Sequence, residues 1–345
     1  MKKKILYIAL ALVLLVLVAA WLFFGSATSF SEKSKYLFVK GDENIQMQVE
    51  KQIDTGDIVR FPSLFKMAAS KADVWDKLKP GRFEIKNGAS IFDIVRTLRN
   101  NVQSPVKLVI TKLRTKENLA KILGKNFSFD STSAMNFFTS NDSLLQLSAD
   151  TNTLFTMIIP DTYLFNWNAQ PESILSKLKD GEEKFWSKND RLQLAQDQGL
   201  TPQQVYTIAS IIEEETNLDE DKGKIASVYI NRMNKGMPLA ADPTVKYALR
   251  DFSLKRIYYK YLSVESPYNT YKYKGLPPGP ICTPSQSTID AVLHAPKTDY
   301  LFFVAKSDFS GYSHFSNNFA EHDQYAKEYQ RALDSLIKNK QKPQD

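Results

Sequence analysis

The sequence contains one run of three consecutive glutamates, Glu213 to Glu215, directly after an apolar stretch. Successive helical residues are about 100° apart, so the three carboxylates must point in different directions. Glu215 follows Ile208 by seven residues and Ile212 by three, which places it on the apolar face, whereas Glu214 falls opposite that face. Apolar surroundings and nearby negative charge both raise a carboxyl pKa. A carboxylic acid that is protonated near neutral pH is what general-acid cleavage of a glycosidic bond requires.

The helix that would carry these carboxylates has a well-defined start. Thr201 can cap it, Pro202 suits the first helical position, and Gln204 can complete a capping box. The sequence therefore predicts a helix from Pro202 to the glutamates. A solvated acidic patch at the end of a surface helix is the alternative interpretation of the same three residues, because acidic runs usually lie in solvent.

The scarcity of cysteine and histidine narrows the chemistry further. One cysteine excludes an intramolecular disulfide and a thiolate metal cage, and His294, His314 and His322 lack the HxxxH spacing of a zinc helix. We therefore expect no metal and no cofactor. A thiol peptidase or amidase with Cys282 as nucleophile and His294 or His314 as base is a weaker alternative, because two prolines flank Cys282 and no helix N-terminus lowers its pKa.

The N-terminus predicts a membrane anchor. Residues 5–24 are all apolar, and as a helix they would span about 30 Å, the thickness of a bilayer core. The lysines at positions 2 to 4 place the tail, residues 1–4, in the cytoplasm and everything after Phe24 on the other side. A cleaved signal peptide is the alternative, although its apolar region usually spans only about 7–15 residues.

Net charge points away from nucleic acid. The chain carries a formal charge of +7, and three of those charges belong to the N-terminal lysines. The remaining excess is too small for a dedicated nucleic-acid binder and is compatible with work near an anionic membrane face or cell wall.

A small module is predicted after the anchor. Phe83 and Ile85 alternate with charged residues as on a strand, Asn87-Gly88 is a turn dipeptide, and Ser90 can cap an amphipathic helix with Asp93. This order is found in LysM modules, which bind glycans that contain N-acetylglucosamine. Ordinary packing of a small βα unit is the alternative interpretation.

The segments of the chain follow from these features. We expect a cytoplasmic tail at 1–4, a transmembrane helix at 5–24, a linker at 25–35, a LysM-like module at 36–105, a catalytic domain at 106–338 and a flexible tail at 339–345. Within the catalytic domain, residues 106–200 form a helical connecting part and residues 201–338 the core. The expected fold class is α+β: a single transmembrane helix, a small LysM-like α/β module and a mixed α+β catalytic domain.

Residues 208–216 resemble the catalytic motif of the endolytic murein transglycosylases, the MltG/YceG-like family. Further ordered similarities to that family lie at residues 160–163, 226–232, 242–247, 268–271 and 275–281. The chain departs from the family pattern at three points. Ala240 replaces a residue that is usually polar, His314 stands one place later than expected, and Cys282 follows Ile281 where the family has no fixed cysteine.

The resemblance implies an activity. Glu215 would be the catalytic acid of a lytic transglycosylase, which cleaves the β-1,4 bond between N-acetylmuramic acid and N-acetylglucosamine and leaves a 1,6-anhydro end. It implies the following substrate contacts: Asp242, Thr244, Tyr268, Asn269, Tyr271 and His314. Its partners would be peptidoglycan strands, the cell (inner) membrane and peptidoglycan synthases, with the catalytic domain extracytoplasmic (periplasmic) and strand termination as its role. A non-catalytic peptidoglycan-binding scaffold is the alternative.

Overall fold

The computed structural model describes residues 2–41 and 44–340, which form a mixed α+β structure, as expected from the sequence. The chain divides into two compact units. Unit 1 contains Met1–Leu108, Leu123–Asp130 and Leu164–Gln170, and unit 2 contains Val109–Ile122, Ser131–Tyr163 and Pro171–Asp345. The predicted tail residues 1 and 341–345 lie outside the described residues, whereas 339 and 340 belong to the last helix.

The elements of the first part of the chain are α1 (Lys2–Phe24), β1 (Ser34–Val39), α2 (Ile45–Thr55), α3 (Pro62–Lys71), α4 (Val74–Lys77), β2 (Gly81–Lys86), α5 (Ile91–Arg99) and β3 (Val106–Val109). The next are α6 (Lys116–Asn126), α7 (Ser131–Thr139), α8 (Asn141–Leu145), β4 (Thr162–Phe165), α9 (Pro171–Trp186) and α10 (Arg191–Asp197). The last are α11 (Pro202–Glu215), α12 (Asp219–Asn234), α13 (Asp242–Leu249), α14 (Gln286–Leu293), β5 (Phe302–Ala305), β6 (Ser313–Ser316) and α15 (Phe319–Lys340). Short 3-10 turns occupy Leu154–Met157 and Tyr259–Tyr261.

Unit 1 is built around an antiparallel pair of strands. β1 and β2 pair over their full length, with Ser34 opposite Lys86 and Val39 opposite Gly81. Phe83 and Ile85 are buried on alternate positions of β2, as the sequence predicts. The predicted cap of α5 is confirmed, because Ser90 and Asp93 form a reciprocal capping box.

The segment predicted as a linker is packed into unit 1. Ala27 and Phe30 are buried in its core. The Ala27 N–H donates to the Ala89 carbonyl at 2.9 Å, and the Arg60 N–H donates to the Ala27 carbonyl at 2.8 Å. The small and polar composition of residues 25–35 suggested a linker, but two apolar side chains and these backbone bonds tie the segment down.

The core of unit 2 surrounds α11. Val205, Ile208, Ile211 and Ile212 are fully buried, and α11 packs against α12, α13 and α14. The predicted start of this helix is confirmed, because Thr201 and Gln204 form a capping box and Pro202 stands at its first turn. The capped N-terminal end and the buried middle of α11 together determine the directions in which the three glutamates at its C-terminal end point.

The N-terminal helix α1 is long and apolar enough to cross a membrane. Within residues 3–24, an 18-residue stretch has a mean hydropathy of 3.0, and the side chains of this helix are exposed along most of its length. A cleaved signal sequence would satisfy the same criterion of length and composition.

Candidate active site

The three glutamates at the end of α11 lie in three different environments. Glu213 accepts hydrogen bonds from two hydroxyl groups at the start of α14. The Ser285 hydroxyl lies 2.9 Å from its Oε2, and the Thr288 hydroxyl donates to the same oxygen. Glu213 therefore ties α11 to α14.

Glu214 forms an ion pair on another side of the helix. The Arg114 guanidinium binds it through both carboxylate oxygens, each at 2.9 Å, and the Lys112 Nζ lies 3.4 Å from Oε1. The side chain of Glu214 is only 16% exposed. The paired fork geometry is the strong form of carboxylate recognition, so Glu214 is committed to this contact. The solvated acidic patch considered from the sequence does not form.

Glu215 faces the interior, as its helical phase predicts. Burial raises the pKa of Glu215 to about 7, and the negative charge of Asp242 acts in the same direction. The buried Tyr229 of α12 donates its hydroxyl to Glu215 Oε1 at 2.8 Å. This bond and the cations of Lys246 and Arg232 oppose the rise. Glu215 is thus poised to give and to take a proton near neutral pH.

Asp242 and Tyr271 form the other half of this group. Asp242 opens α13, and the Tyr271 hydroxyl donates to its Oδ1 at 2.5 Å. Both side chains are half-buried, so each keeps a surface open to a ligand. We call Glu215, Tyr229, Asp242 and Tyr271 the Glu215 site, since Tyr229 bonds to one of its two carboxylates and Tyr271 to the other.

Thr244 and Asn269, two of the residues expected to contact substrate, are completely buried. The Thr244 hydroxyl donates to the Ala241 carbonyl at 2.7 Å. The Asn269 amide donates to two backbone carbonyls within residues 262–264, at 2.9 and 3.0 Å, and accepts the Tyr271 N–H at 3.1 Å. A side chain without exposed surface cannot touch a glycan, so their geometry supports holding the loops that carry Asp242 and Tyr271.

Tyr268 belongs to a neighbouring cleft of unit 2. Its ring lies 4.7 Å from that of Tyr247, and both line a cleft of about 380 Å³. Charged side chains at the same cleft include Lys116 of α6 and the exposed ion pair of Arg250 with Glu117, whose atoms lie 2.8 Å apart. An aromatic wall with polar groups around it is typical of a carbohydrate cleft.

His314 makes its described contacts with β5 and α15. It lies in β6 and stacks on Tyr325 of α15, with ring centroids 4.1 Å apart and planes 6° from parallel. Its backbone pairs with Val304 of β5. These contacts hold β6 against β5 and α15.

Ala240, the departure next to Asp242, has a left-handed backbone conformation with φ of +50°. Its N–H donates to the Thr270 carbonyl at 3.0 Å. This conformation is unfavourable for alanine, so the surrounding loop contacts must hold it.

Cys282 is unsuited to the role of nucleophile. It is fully buried, and its Sγ lies 3.3 Å from the Ser210 carbonyl oxygen. Burial raises the pKa of the Cys282 thiol well above its usual value, so the reactive thiolate is strongly disfavoured. His294 is exposed, and its Nδ1 lies 2.8 Å from the carbonyl oxygen of Asp290 in the preceding helix. The structure therefore contradicts the thiol alternative.

The sequence reasoning missed Tyr229, Arg232 and Lys246, each of which opposes the rise in the pKa of Glu215 that burial causes. Tyr229 and Arg232 lie on α12 at i and i+3, so they share one face of that helix. The sequence could therefore have predicted that Tyr229 and Arg232 share a helix face. The packing of this face against α11 depends on the tertiary structure and could not be predicted from local spacing.

A second perturbed carboxyl group was also missed. Burial raises the pKa of Glu182 in α9 to about 7, with a smaller contribution from Glu183. Glu182 stands four residues from both Leu178 and Trp186, two buried residues of α9. The rule of helical phase that selected Glu215 would have selected Glu182 as well.

Comparison with known proteins places this geometry in a family. A model described as the YceG-like family matches residues 39–328. An endolytic murein transglycosylase of Bacillus subtilis (strain 168) is 48% identical over 125 residues, covering 36% of this chain and 34% of that protein. An endolytic murein transglycosylase of Streptococcus pneumoniae serotype 2 is 26% identical over 330 residues, covering 87% of this chain and 59% of that protein. The chain thus spans less than two thirds of the length of these relatives.

A solved structure is also similar. The crystal structure of a yceG-like protein from Listeria monocytogenes matches with a TM-score of 0.56 and 26% sequence identity. The match covers 85% of this chain and 99% of that chain. The similarity therefore extends over both units.

Proposed function

The chain belongs to the YceG-like family, and from that premise we propose that it is a membrane-anchored lytic transglycosylase that cuts peptidoglycan strands internally. The observation that carries the proposal is Glu215, a carboxyl group whose pKa burial raises to about 7. Relatives that bear the name endolytic murein transglycosylase support the same activity.

We propose that the bond cleaved is the β-1,4 link from N-acetylmuramic acid to N-acetylglucosamine. Protonated Glu215 donates its proton to the leaving O4 of N-acetylglucosamine as the bond from C1 breaks. The Glu215 carboxylate then takes the proton of the muramic acid 6-hydroxyl, whose oxygen attacks C1. The product is a 1,6-anhydro end, Glu215 is protonated again, and no water is consumed.

One carboxylate can serve both steps because its pKa lies near neutrality. Tyr229 occupies Oε1 of Glu215, which leaves Oε2 for the sugar oxygen. The cations of Arg232 and Lys246 stabilise the carboxylate formed after proton transfer. A second, nucleophilic carboxylate is therefore not required.

Asp242 and Tyr271 are the proposed sugar-binding groups beside Glu215. Asp242 can accept a hydrogen bond from a sugar hydroxyl or acetamido N–H, while Tyr271 keeps its carboxylate oriented. The Tyr268 ring offers a surface for a sugar face in the adjoining cleft. Thr244 and Asn269 position the loops, and His314 is left out of the proposed contacts because it stacks on Tyr325.

The proposed location follows from α1. Its length and apolar composition support a membrane span, and the lysines at positions 2 to 4 support a cytoplasmic N-terminus. The remainder of the chain would then lie outside, next to nascent glycan strands and the synthases that make them. Cleavage there would end the growth of a strand.

Residues 36–105 are the proposed LysM-like glycan-binding module. Support comes from the succession of β2, the turn at Asn87-Gly88 and the capped helix α5, and from a groove of about 590 Å³ along them. Asn87 and Gly88 of the turn line this groove together with Asp93. Polar groups around a shallow groove suit a glycan.

The test is to identify the ends that the protein creates in purified peptidoglycan strands. The chain is kept at full length in detergent, because truncation after Phe30 would remove part of the core of unit 1. Mass spectrometry should find anhydromuramic ends with the parent protein and none with Glu215→Gln. Glu182→Gln, a carboxyl group with a similarly raised pKa, is the matched control and should keep activity. Reducing ends would establish hydrolysis, and equal inactivity of parent and variant would favour the scaffold.

A further inference from the structure

The C-terminal end of α1 is built into unit 1. Phe23 packs against the core of the unit, and the exposed Phe24 lies with its ring 5.5 Å from that of Phe92 in α5. The chain then continues without a free spacer, since the Ala27 N–H donates to the Ala89 carbonyl. The surface around Phe92 is therefore held next to the point where α1 ends.

That surface is an apolar groove of about 720 Å³. Its apolar lining includes Phe23, Met67, Phe92 and Val95. Met67 is 52% exposed and Phe92 is 46% exposed, although both are large apolar side chains. Unit 1 thus presents apolar area directly beside the end of the apolar helix.

The charged residues of the groove are mainly cationic. Lys71, Arg96 and Arg99 line it, against one carboxylate, Asp73. The Arg96 guanidinium lies 5.6 Å from the centre of the Phe92 ring, and Arg96 also pairs with Asp93 at 3.3 Å. Apolar side chains and cations on one surface are typical of amphipathic surfaces that lie in the headgroup region of a membrane.

We propose that this groove is a membrane-docking surface, seated in the leaflet from which α1 emerges. Met67 and Phe92 would enter the boundary between headgroups and acyl chains, and Lys71, Arg96 and Arg99 would bind the phosphates of anionic phospholipids. The continuity of the groove with α1 indicates that its partner is the lipid bilayer, because a surface joined to the end of a membrane-spanning helix without a spacer lies next to the same bilayer. The inference rests on the membrane anchoring in the proposed function.

The experiment reconstitutes the full chain in liposomes of phosphatidylglycerol and phosphatidylcholine and labels Met67→Cys with a nitroxide. Collision with oxygen and with a water-soluble nickel complex, measured by electron paramagnetic resonance, reports whether the label lies in lipid or in water. Lys40→Cys is the control, because it is exposed and lines a different groove of unit 1. The buried Cys282 should take no label, which the unsubstituted chain verifies.

At position 67 the ratio of oxygen to nickel collisions should exceed that at position 40 several-fold. The labelled Met67→Cys chain is then combined with Lys71→Glu and Arg96→Glu. These two substitutions should lower the ratio of oxygen to nickel collisions at position 67 in liposomes that contain phosphatidylglycerol and leave it unchanged in pure phosphatidylcholine. Water-like values at both positions, or an equal effect in both lipids, would overturn the proposal. Phe92→Cys replaces Met67→Cys if circular dichroism shows that the first variant does not fold, because Phe92 lines the same groove and is also exposed.

An alkaline carbonate wash distinguishes failure of the docking surface from failure of the membrane anchor, because a chain with a membrane-spanning helix stays on the liposomes. A retained chain with a water-like label at position 67 refutes the docking surface alone. A chain that the wash removes refutes the anchor and the docking surface together. Glycan cleavage in detergent is measured separately and depends on neither.

Discussion

The two sides of the C-terminal end of α11 place adjacent glutamates in different environments. Glu214 lies between two cations, Arg114 and Lys112, and is bound through both oxygens. Glu215, one residue later, has its pKa raised to about 7 by burial, with a like charge from Asp242 nearby. A rotation of about 100° along the helix separates a structural ion pair from a proton donor.

The comparison shows that the surroundings, and not the residue type, decide what a carboxylate does. Glu182 extends the lesson, since burial raises its pKa to about 7 as well, yet it lies in α9, where Lys179 and Glu183 are its charged neighbours. A raised pKa alone does not make a catalytic group. Glu182 also has a hydrogen-bond donor, Trp186, and a neighbouring like charge, Glu183. Glu215 differs because its neighbouring carboxylate, Asp242, belongs to another helix and is itself bound by the Tyr271 hydroxyl.

The largest expected effect is on turnover. Glu215→Gln should lower the rate of glycan cleavage by about 10²–10⁴-fold, because it removes the proposed general acid and base. Glu182→Gln should change the rate by less than about threefold, because Glu182 has no proposed role in proton transfer. Initial rates of strand cleavage measure both. Equal losses in the two variants would contradict the assignment of Glu215.

The second effect is on stability and depends on pH. The folded state holds the proton of Glu215 up to a pKa of about 7, whereas the unfolded chain releases it near 4.5. The stabilisation that protonated Glu215 contributes to the folded state is therefore fully present below pH 4.5 and is lost as the pH rises through 7. Glu215→Gln should gain little at pH 4 and up to about 3 kcal/mol at pH 8 relative to the parent. Urea unfolding at several pH values measures this difference, and a gain that does not depend on pH would contradict it.

A smaller effect concerns the hydrogen bond from Tyr229. This bond lowers the pKa of Glu215, so Tyr229→Phe should raise that pKa by about one unit. The fall of kcat/KM at alkaline pH should move upward by the same amount. Tyr268→Phe, whose ring lies against Tyr247, should leave the profile in place. A downward movement with Tyr229→Phe would show that the bond does not stabilise the carboxylate.

The smallest effect is expected for the ion pair. Glu214→Gln removes the fork with Arg114, whose side chain is 38% exposed, and should cost about 1 kcal/mol of unfolding free energy. Cleavage should remain within a few-fold of the parent. Urea unfolding and initial rates measure the two quantities. If Glu214→Gln were as inactive as Glu215→Gln, the division between the two sides of α11 would not hold.

Local signals in the sequence were sufficient for α11. Thr201, Pro202 and Gln204 define its start, and the spacing from Ile208 and Ile212 determines the direction of Glu215. Each of these signals acts within a few residues, so the sequence contains it directly. The mixed α+β class and the cap of α5 were predictable for the same reason.

Features that depend on packing between distant segments could not be predicted in this way. Tyr229 reaches Glu215 only because α12 packs on α11. Thr244 and Asn269 have polar side chains, yet both are buried to bond backbone groups, which no local pattern reveals. Residues 25–35 are small and polar in composition, and the backbone of the buried Ala27 is held by partners about thirty and sixty residues away, Arg60 and Ala89.

The buried thiol of Cys282 also has a consequence for oxidation. A protein outside the cytoplasm meets oxidants and disulfide exchange, and an accessible lone thiol would form mixed disulfides there. Cys282 is shielded by the core of unit 2, and burial keeps it in its unreactive thiol form. The thiol of Cys282 is therefore protected from oxidants while unit 2 stays folded. Oxidation of this cysteine would record the opening of unit 2 itself, so its modification rate reports the unfolding of that core.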